Sequence, residues 1–368
     1  MKRSVTPYAG RALACLLLLF SASAVAQAAV PATQTFCVWD LLGEQGDAAT
    51  LMKDYALAAR NWGANIKLKV YTNEGVAADD FKAGQCDGVL MTGLRGRQFN
   101  AFTGSIDSVG SIPSYPLMHD VINLLSRHNA KLEPYFLTDS ATNKQEYEMV
   151  GVVPAGAAYA FVDDRSISSL DKAAGKKIAV LDWDKSQAEM VKIVGAVPVA
   201  ADLTTYAGKF NNGQVDILFA PITMYRPMEL YKGLGTKGGI ARFPVIQITM
   251  QMFIHRDRFP AGFGQKSRDY MAEQAPRFFD LISNTEREVD PRHWMHVNVS
   301  YRSGYGQIMR EMRIHLTKSG FYDPTMMKIL KGIRCRREPD NAECSQNDEG
   351  GPATGSAPRA ATPKSPTP

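Results

Sequence analysis

The sequence predicts an α/β fold of two lobes, each a mainly parallel sheet flanked by helices, with a hinge between the lobes. Two observations predict it. From Thr35 the chain reads strand, helix, strand, helix, strand, and from Lys176 the same order returns. Strands that alternate with helices imply parallel neighbours joined by right-handed crossovers. The two units also close alike. Gly84-Gln85-Cys86-Asp87-Gly88-Val89-Leu90 in the first answers Gly213-Gln214-Val215-Asp216-Ile217-Leu218 in the second. In each, a helix ends at glycine and an aspartate starts an apolar strand. The spacing is too long for a solenoid, so two lobes on one plan are the simpler reading.

The elements follow in order. Lys2, Arg3 and Arg11 precede an apolar run, Leu13 to Phe20, and then small residues as far as Ala28. This is a secretory signal with cleavage after Ala26 or Ala28, and its apolar run is too short to span a bilayer. Residues 1–28 are therefore expected to be a signal peptide, and the mature chain to be periplasmic and monomeric. FCVWDLL is the first strand. GEQGDAATLMKDYALAARNWGA places Leu51, Tyr55, Ala58, Ala59 and Trp62 on one helical face, with Asp47 as its N-cap. NIKLKVYT alternates as a half-buried strand does, and a short helix at VAADDFKAG leads into CDGVLMT. The second unit is KKIAVLDW, SQAEMVKIVG, VPVAAD, LTTYAGKFNNG and VDILFAP. PVIQITMQMFI is a strand candidate for a crossing between lobes, with Gln247 and Gln251 near the hinge or cleft. The expected bounds are 35–154 plus 244–300 for lobe I, and 155–243 plus 301–335 for lobe II with the C-terminal helices. Residues 338–368 turn to Pro, Gly, Ser, Thr and Ala and are expected to be a disordered tail.

Composition narrows the function. Hydrophobic residues make up 45% of the chain and charged ones 21%, so a large core is available. The net charge of +5 comes without a basic block interleaved with aromatics, which argues against nucleic acid as a partner. Four cysteines follow the signal segment: Cys37, Cys86, Cys335 and Cys344. An exported chain favours disulfides, and three pairings are available. Cys37 and Cys86 both open strand-like runs and lie side by side if those strands are parallel neighbours. Cys335 and Cys344 close a small loop. The pairs 37–86 and 335–344 are favoured, and metal-ligand spacing is lacking. The sequence holds no GxSxG elbow, HExxH or P-loop, and LLGEQGD lacks the GxGxxG spacing. His293 and His296 lack a completing ligand. An enzyme, a cofactor and a metal are not expected.

Ligands of open parallel sheets bind beyond the carboxyl ends of the strands, and clefts between domains favour them. Arg95 and Arg97 lie just past CDGVLMT, where a guanidinium can meet an anion. Their alternative role is a local ion pair, for example with Asp107. Trp39 is at the end of the first strand and Glu44 follows it, Asp182 and Trp183 end KKIAVLDW, and Tyr225 with Arg226 follows VDILFAP.

Residues LGEQGDAATLMKDYALAARNWGANIKLKVYTNEGVAADDFKAGQCDGVLMTG resemble the amino-terminal lobe of the periplasmic solute-binding proteins of TRAP transporters. RSISSLDKAAGKKIAVLDWDKSQAEMVKIVGAVPVAADLTTYAGKFNNGQVDIL is similar to their other lobe. The likeness covers roughly residues 35–330. More narrowly, the chain resembles a branch of solute-binding proteins of which some have been labelled RND-type efflux components. The resemblance implies a hinged two-lobe fold that closes on a small-molecule solute and presents it to membrane transporter subunits. It also implies an arginine in the second lobe that clamps an organic acid, at the position that here is Ala179. An alanine cannot clamp a carboxylate. Three readings stay open. Arg95, Arg97 or Arg226 replaces the clamp. A cationic or aromatic solute meets Trp39, Trp183 and Tyr225, with Asp182 or Glu44 as counter-charge. Or the scaffold serves an efflux or envelope assembly without solute.

Overall fold

One strand runs through both halves of the molecule, and the rest of the architecture is arranged around it. The computed structural model describes residues 32–139 and 146–349. The signal peptide expected at 1–28 and the part of the expected tail beyond 349 lie outside the described residues. The first half holds β1 (Gln34–Trp39), α1 (Asp47–Ala59), β2 (Ile66–Tyr71), α2 (Glu74–Lys82), β3 (Gly88–Thr92), α3 (Gly93–Gly96), α4 (Ala101–Gly104) and α5 (Tyr115–Ser126). β4 (Leu137–Asp139) and the long β5 (Glu146–Val162) follow. The second half holds α6 (Leu170–Ala173), β6 (Lys177–Leu181), α7 (Lys185–Ile193), β7 (Val197–Ala201), α8 (Leu203–Asn211), β8 (Ile217–Pro221) and α9 (Tyr231–Leu234). The chain ends with β9 (Gly239–Ala241), β10 (Ile246–His255), α10 (Phe263–Glu288), β11 (Trp294–Met295), α11 (Val299–Lys318) and α12 (Pro324–Arg337).

The strands make one sheet in the order β2-β1-β3-β10-β5-β8-β6-β7. β1 is parallel to β2 and β3, and β6 is parallel to β7 and β8, as the alternation of strands and helices requires. Antiparallel β10 and β5 sit between these two trios. The interior strand β1 is almost wholly buried, which suits its apolar run. The two outer strands are protected differently. β2 carries Lys67 and Lys69, and β7 carries Pro198, which has no N–H to offer a new neighbour.

β5 pairs with β10 from Tyr147 to Ala158 and with β8 from Ala158 to Val162. It therefore belongs to both lobes. At the changeover the register slips, with Ile248 opposite Gly156 and Thr249 opposite Pro154. Gly156 has φ +112°, a conformation that side chains resist. This irregularity lies where β5 passes from the first lobe's pairing to the second's. α10 lies along β5 and packs Met271 and Ala275 into the first lobe's core but Ile282 into the second's. Near its end Glu286 accepts hydrogen bonds from Tyr115 of α5 (2.6 Å) and Tyr159 of β5 (2.8 Å), joining the lobes behind β5.

Three expectations are corrected. Residues 301–335 were expected in lobe II, but Met312, Leu316, Tyr322, Met326 and Leu330 pack with Phe36, Phe81 and Leu90 in lobe I. An amphipathic helix shows that it has an apolar stripe, not which partner covers it. Residues 244–300 were expected in lobe I, but Ile282 and Val289 join the core around Phe161, and β11 pairs with β9. α1 is entered through Gly46, with Asp47 as its first residue. The carboxylate of Asp40 takes the N–H groups of Ala49 (3.0 Å) and Leu42 (2.9 Å) in its stead.

Cys37–Cys86 and Cys335–Cys344 are bonded, with Cα atoms 5.8 and 5.6 Å apart. The first pair follows from the parallel neighbours β1 and β3. The second holds a segment expected to be disordered. Residues 338–349 are instead folded back on α11 and α12, with Glu343 and Glu349 buried. Arg313 meets Glu343 at 3.0 Å and Glu349 at 2.7 Å. Arg334 meets the same two at 2.7 and 2.8 Å. Paired buried charge orders this segment, so its low apolar content misleads. Glu349→Ala removes one carboxylate from two buried guanidinium groups and should cost about 3 kcal/mol in urea unfolding. A cost under about 0.5 kcal/mol would show that the segment does not stabilise the lobe.

Candidate functional site

Between the lobes lies a cavity of about 280 Å³. Its walls come from the end of β1, most of β6 and β8, the second half of β5, the first half of β10, and helices α7 and α11. The lining is overwhelmingly apolar. Seven of the chain's 16 methionines line it: Met190, Met224, Met228, Met250, Met295, Met309 and Met312. Unbranched thioether side chains re-pack readily around different shapes. Ala179, on β6, supplies a flat patch of wall where the resemblance places an arginine.

Among the described lining residues one carries a formal charge, Glu74. It opens α2, whose N-terminus is capped by Asn73 accepting from the Val76 N–H (3.1 Å). Glu74 is 3% exposed and accepts the Thr92 N–H at 2.7 Å. Its other oxygen lies 3.6 Å from Nε of Arg95. Burial pushes its pKa up, against the opposing pull of Thr92 and Arg95.

Arg95 crosses to the other lobe. Its guanidinium carbon stands 3.9 Å from the ring centroid of Trp183, a cation–π contact of about 1–2 kcal/mol. Arg95 belongs to α3 in lobe I, and Trp183 to the turn after β6 in lobe II. Arg95 Nε and Trp183 Nε1 are both shut off from solvent and have no hydrogen-bond acceptor.

Of the eight sequence candidates Trp39 lines the cavity, while Arg95 and Trp183 meet across the lobes beside Glu74. Trp39 lines the wall and donates its ring N–H to the Thr72 carbonyl (3.3 Å). The other five lie elsewhere. Arg97 turns into lobe I, over the rings of Phe321 (4.3 Å) and Tyr322 (5.3 Å), and donates to Gly104 O. Tyr225 is buried in the core of lobe II, bonded to His293 Nδ1 (2.9 Å) and stacked on Phe161. Arg226 is exposed and pairs with Glu288 (3.1 Å). Glu44 is exposed beside Lys53 (3.8 Å), and Asp182 is exposed on the turn after β6. Glu74 was missed, although the strand-end rule that singled out Arg95 also covers the end of β2. Gln251 is buried in lobe I, donating to Thr103 O and Thr249 Oγ1.

A model of the family described as "Solute-binding protein AdeT 1/2" matches residues 52–349. The chain is 47% identical over 312 residues, 85% of its length and 100% of the relative's, to "Probable solute-binding protein AdeT1" of Acinetobacter baumannii. It is 27% identical over 241 residues, 66% of its length and 98% of the relative's, to "Probable solute-binding protein AdeT2" of the same organism. Among solved structures it is similar to a TRAP periplasmic solute-binding protein from Desulfovibrio salexigens with bound orotic acid. The TM-score is 0.66 and the identity 14%, over 83% of this chain and 99% of that one. It is also similar to one from Sulfitobacter with bound β-D-galacturonate, with TM-score 0.64 and 13% identity over 82% and 99%. These likenesses establish the two-lobed fold.

Asp107 sits beneath Gly93 and accepts from Thr249 through its N–H (3.1 Å) and hydroxyl (2.6 Å). It makes no ion pair with Arg97. Burial, partly offset by Thr249 and Arg97, pushes its pKa up to about 7. Below its ordinary value of 3.8 both folded and unfolded chains are protonated. From there to about 7 the unfolded chain ionises while the folded one holds the proton, so stability falls as pH rises across that window. Asp107→Asn should remove this component, giving a flatter stability profile from pH 4 to 7 in urea titrations. Parallel profiles for the two proteins would refute it.

Proposed function

The chain belongs to the AdeT 1/2 family of solute-binding proteins, and on that premise we propose that it captures a small, uncharged, largely apolar solute between its lobes and presents it to a membrane transporter. The supporting observation is the cavity wall, mostly apolar and, among the described residues, without a formal charge other than that of Glu74, which Arg95 already opposes. An organic acid entering it would leave water and find Ala179 in place of a clamp. Burying a carboxylate without a cation costs several kcal/mol. An apolar solute gains about 2.5 kcal/mol for each 100 Å² removed from water. The methionine walls suit a range of shapes.

Binding with closure, rather than catalysis, is the role. The continuous β5, irregular at Gly156, lets the lobes move as bodies, and a solute that touches both favours the closed arrangement. Among the described residues no helix is long and apolar enough to cross a membrane. With the secretion signal read from the sequence, this supports a periplasmic site of action.

The test is a titration of the purified mature protein with N-phenyl-1-naphthylamine, whose fluorescence rises in apolar surroundings. Binding in the low micromolar range, about −8 kcal/mol, and a raised melting temperature are expected. Orotate and galacturonate at equal concentration should leave the melting temperature unchanged. Met190→Asp, which places a charge in the wall, should weaken the probe at least about tenfold, or about 1.4 kcal/mol. A melting rise with the acids and none with the probe would overturn the proposal. Silence with every compound would favour an accessory scaffold.

A further inference from the structure

We propose that the cleft continues into lobe II as a slot for an unbranched hydrocarbon chain, and that the solute is an amphiphile with a neutral head and an alkyl or acyl tail. The inference rests on the apolar-solute reading and adds to it the shape of the solute.

The slot follows from how two strands part. β6 pairs with β7 along its whole length, but with β8 only at Ile178 and Ile217. Beyond that pair the Tyr206 hydroxyl, from α8, stands between the strands, 3.2 Å from Ala179 O and 3.2 Å from Phe219 O. A hydroxyl has one hydrogen to donate, so it does not replace a ladder. A fully paired sheet keeps its two faces apart, but here one cavity meets both. Ala179, Leu181 and Ala220 belong to one core of lobe II, and Ile178, Val180 and Ile217 to the other; all six line the cavity.

The cavity is also deep. Ligands of such sheets gather at the carboxyl ends of the strands. Here the lining continues down β8 from Pro221 to Ile217, about 13 Å at about 3.3 Å per residue. At the bottom lie Ala173 of α6 and Val194, which follows α7. A void of about 280 Å³ drawn out over that depth, as well as the cleft above it, is narrow. It suits a chain better than a compact body of the same volume. Glu74 opens α2 in lobe I, so the part inside lobe II has no formal charge among its described lining residues. A hydrocarbon tail leaves water there at no electrostatic cost, while a charged tail end would lose its hydration without a partner.

Displacement of N-phenyl-1-naphthylamine by hexanol, octanol, decanol and dodecanol tests this, with adamantan-1-ol as a compact alcohol of decanol's carbon number. Affinity should rise about fourfold for each methylene, the worth of burying one, and level off where the chain outruns the slot. Ala173→Phe plugs the bottom of the slot from α6, and Val194→Phe plugs it from the end of α7, so one variant serves if the other fails to fold. Each should weaken decanol at least about tenfold, as the loss of two or more buried methylenes would, and change hexanol and adamantanol less than about twofold. The series should then level off at a shorter chain. No weakening of decanol by either folded variant would overturn the slot and leave the apolar cleft standing, as would equal weakening of all the alcohols. Tighter binding of decanoate than of decanol would overturn the neutral head. Failure of the wild type to bind the naphthylamine or any alcohol would remove the apolar-cleft reading, and the slot with it.

Discussion

The continuity of β5 is the constraint on which the rest depends. A strand shared by the two halves of the sheet gives both lobes one backbone direction where they join. Its hydrogen bonds pass from β10 to β8 at Ala158, so each lobe takes one end of the same strand into its part of the sheet. One of the two register shifts in its pairing with β10 falls at Pro154–Gly156, where proline and a glycine of positive φ tolerate it. α10 backs this strand, and Glu286 bonds one tyrosine from each side. The cleft is what remains in front of it.

Charge is distributed so that the cleft stays nearly neutral. One group of buried charges elsewhere is mutually matched: Arg313, Arg334, Glu343 and Glu349. Such clusters hold segments in place more than they add stability over an apolar equivalent. Among the described lining residues the one carboxylate, Glu74, is matched by the Arg95 guanidinium, which is in turn stacked on the opposite lobe. The same side chain thus balances charge and joins the lobes. That economy ties solute recognition to closure, because anything that disturbs the Arg95 contact also disturbs the interface.

Much of the fold was legible because it rests on short-range patterns. Alternating strands and helices dictate parallel trios, and the parallel pairing of β1 with β3 puts Cys37 beside Cys86. The allegiance of α11 and α12 was not legible, since Met312 and Leu330 mark a buried face without naming the partner. Nor was the order of residues 338–349, whose glutamates look solvent-loving until two arginines 9 to 36 positions away enclose them. At the site, the rule that ligands gather at strand ends found Trp39, Arg95 and Trp183 but could not say which way Tyr225 or Arg97 turns. The apolar character of the cleft was visible only as an absence, Ala179 where an arginine was implied. The methionines that complete it lie on strands, helices and turns from 190 to 312, and only the folded chain brings them together.

The central claim is that the lobes close on a neutral apolar solute. The most direct measurement is the distance between them, by double electron–electron resonance. Spin labels at Leu57 on α1 and Ile193 on α7 occupy exposed positions in the two lobes, 60% and 57% accessible. The account predicts that 2-acetylnaphthalene shifts the distance distribution toward a single narrow population. It predicts no shift with orotate or galacturonate. A shift produced by the acids but not by the neutral compound would contradict it.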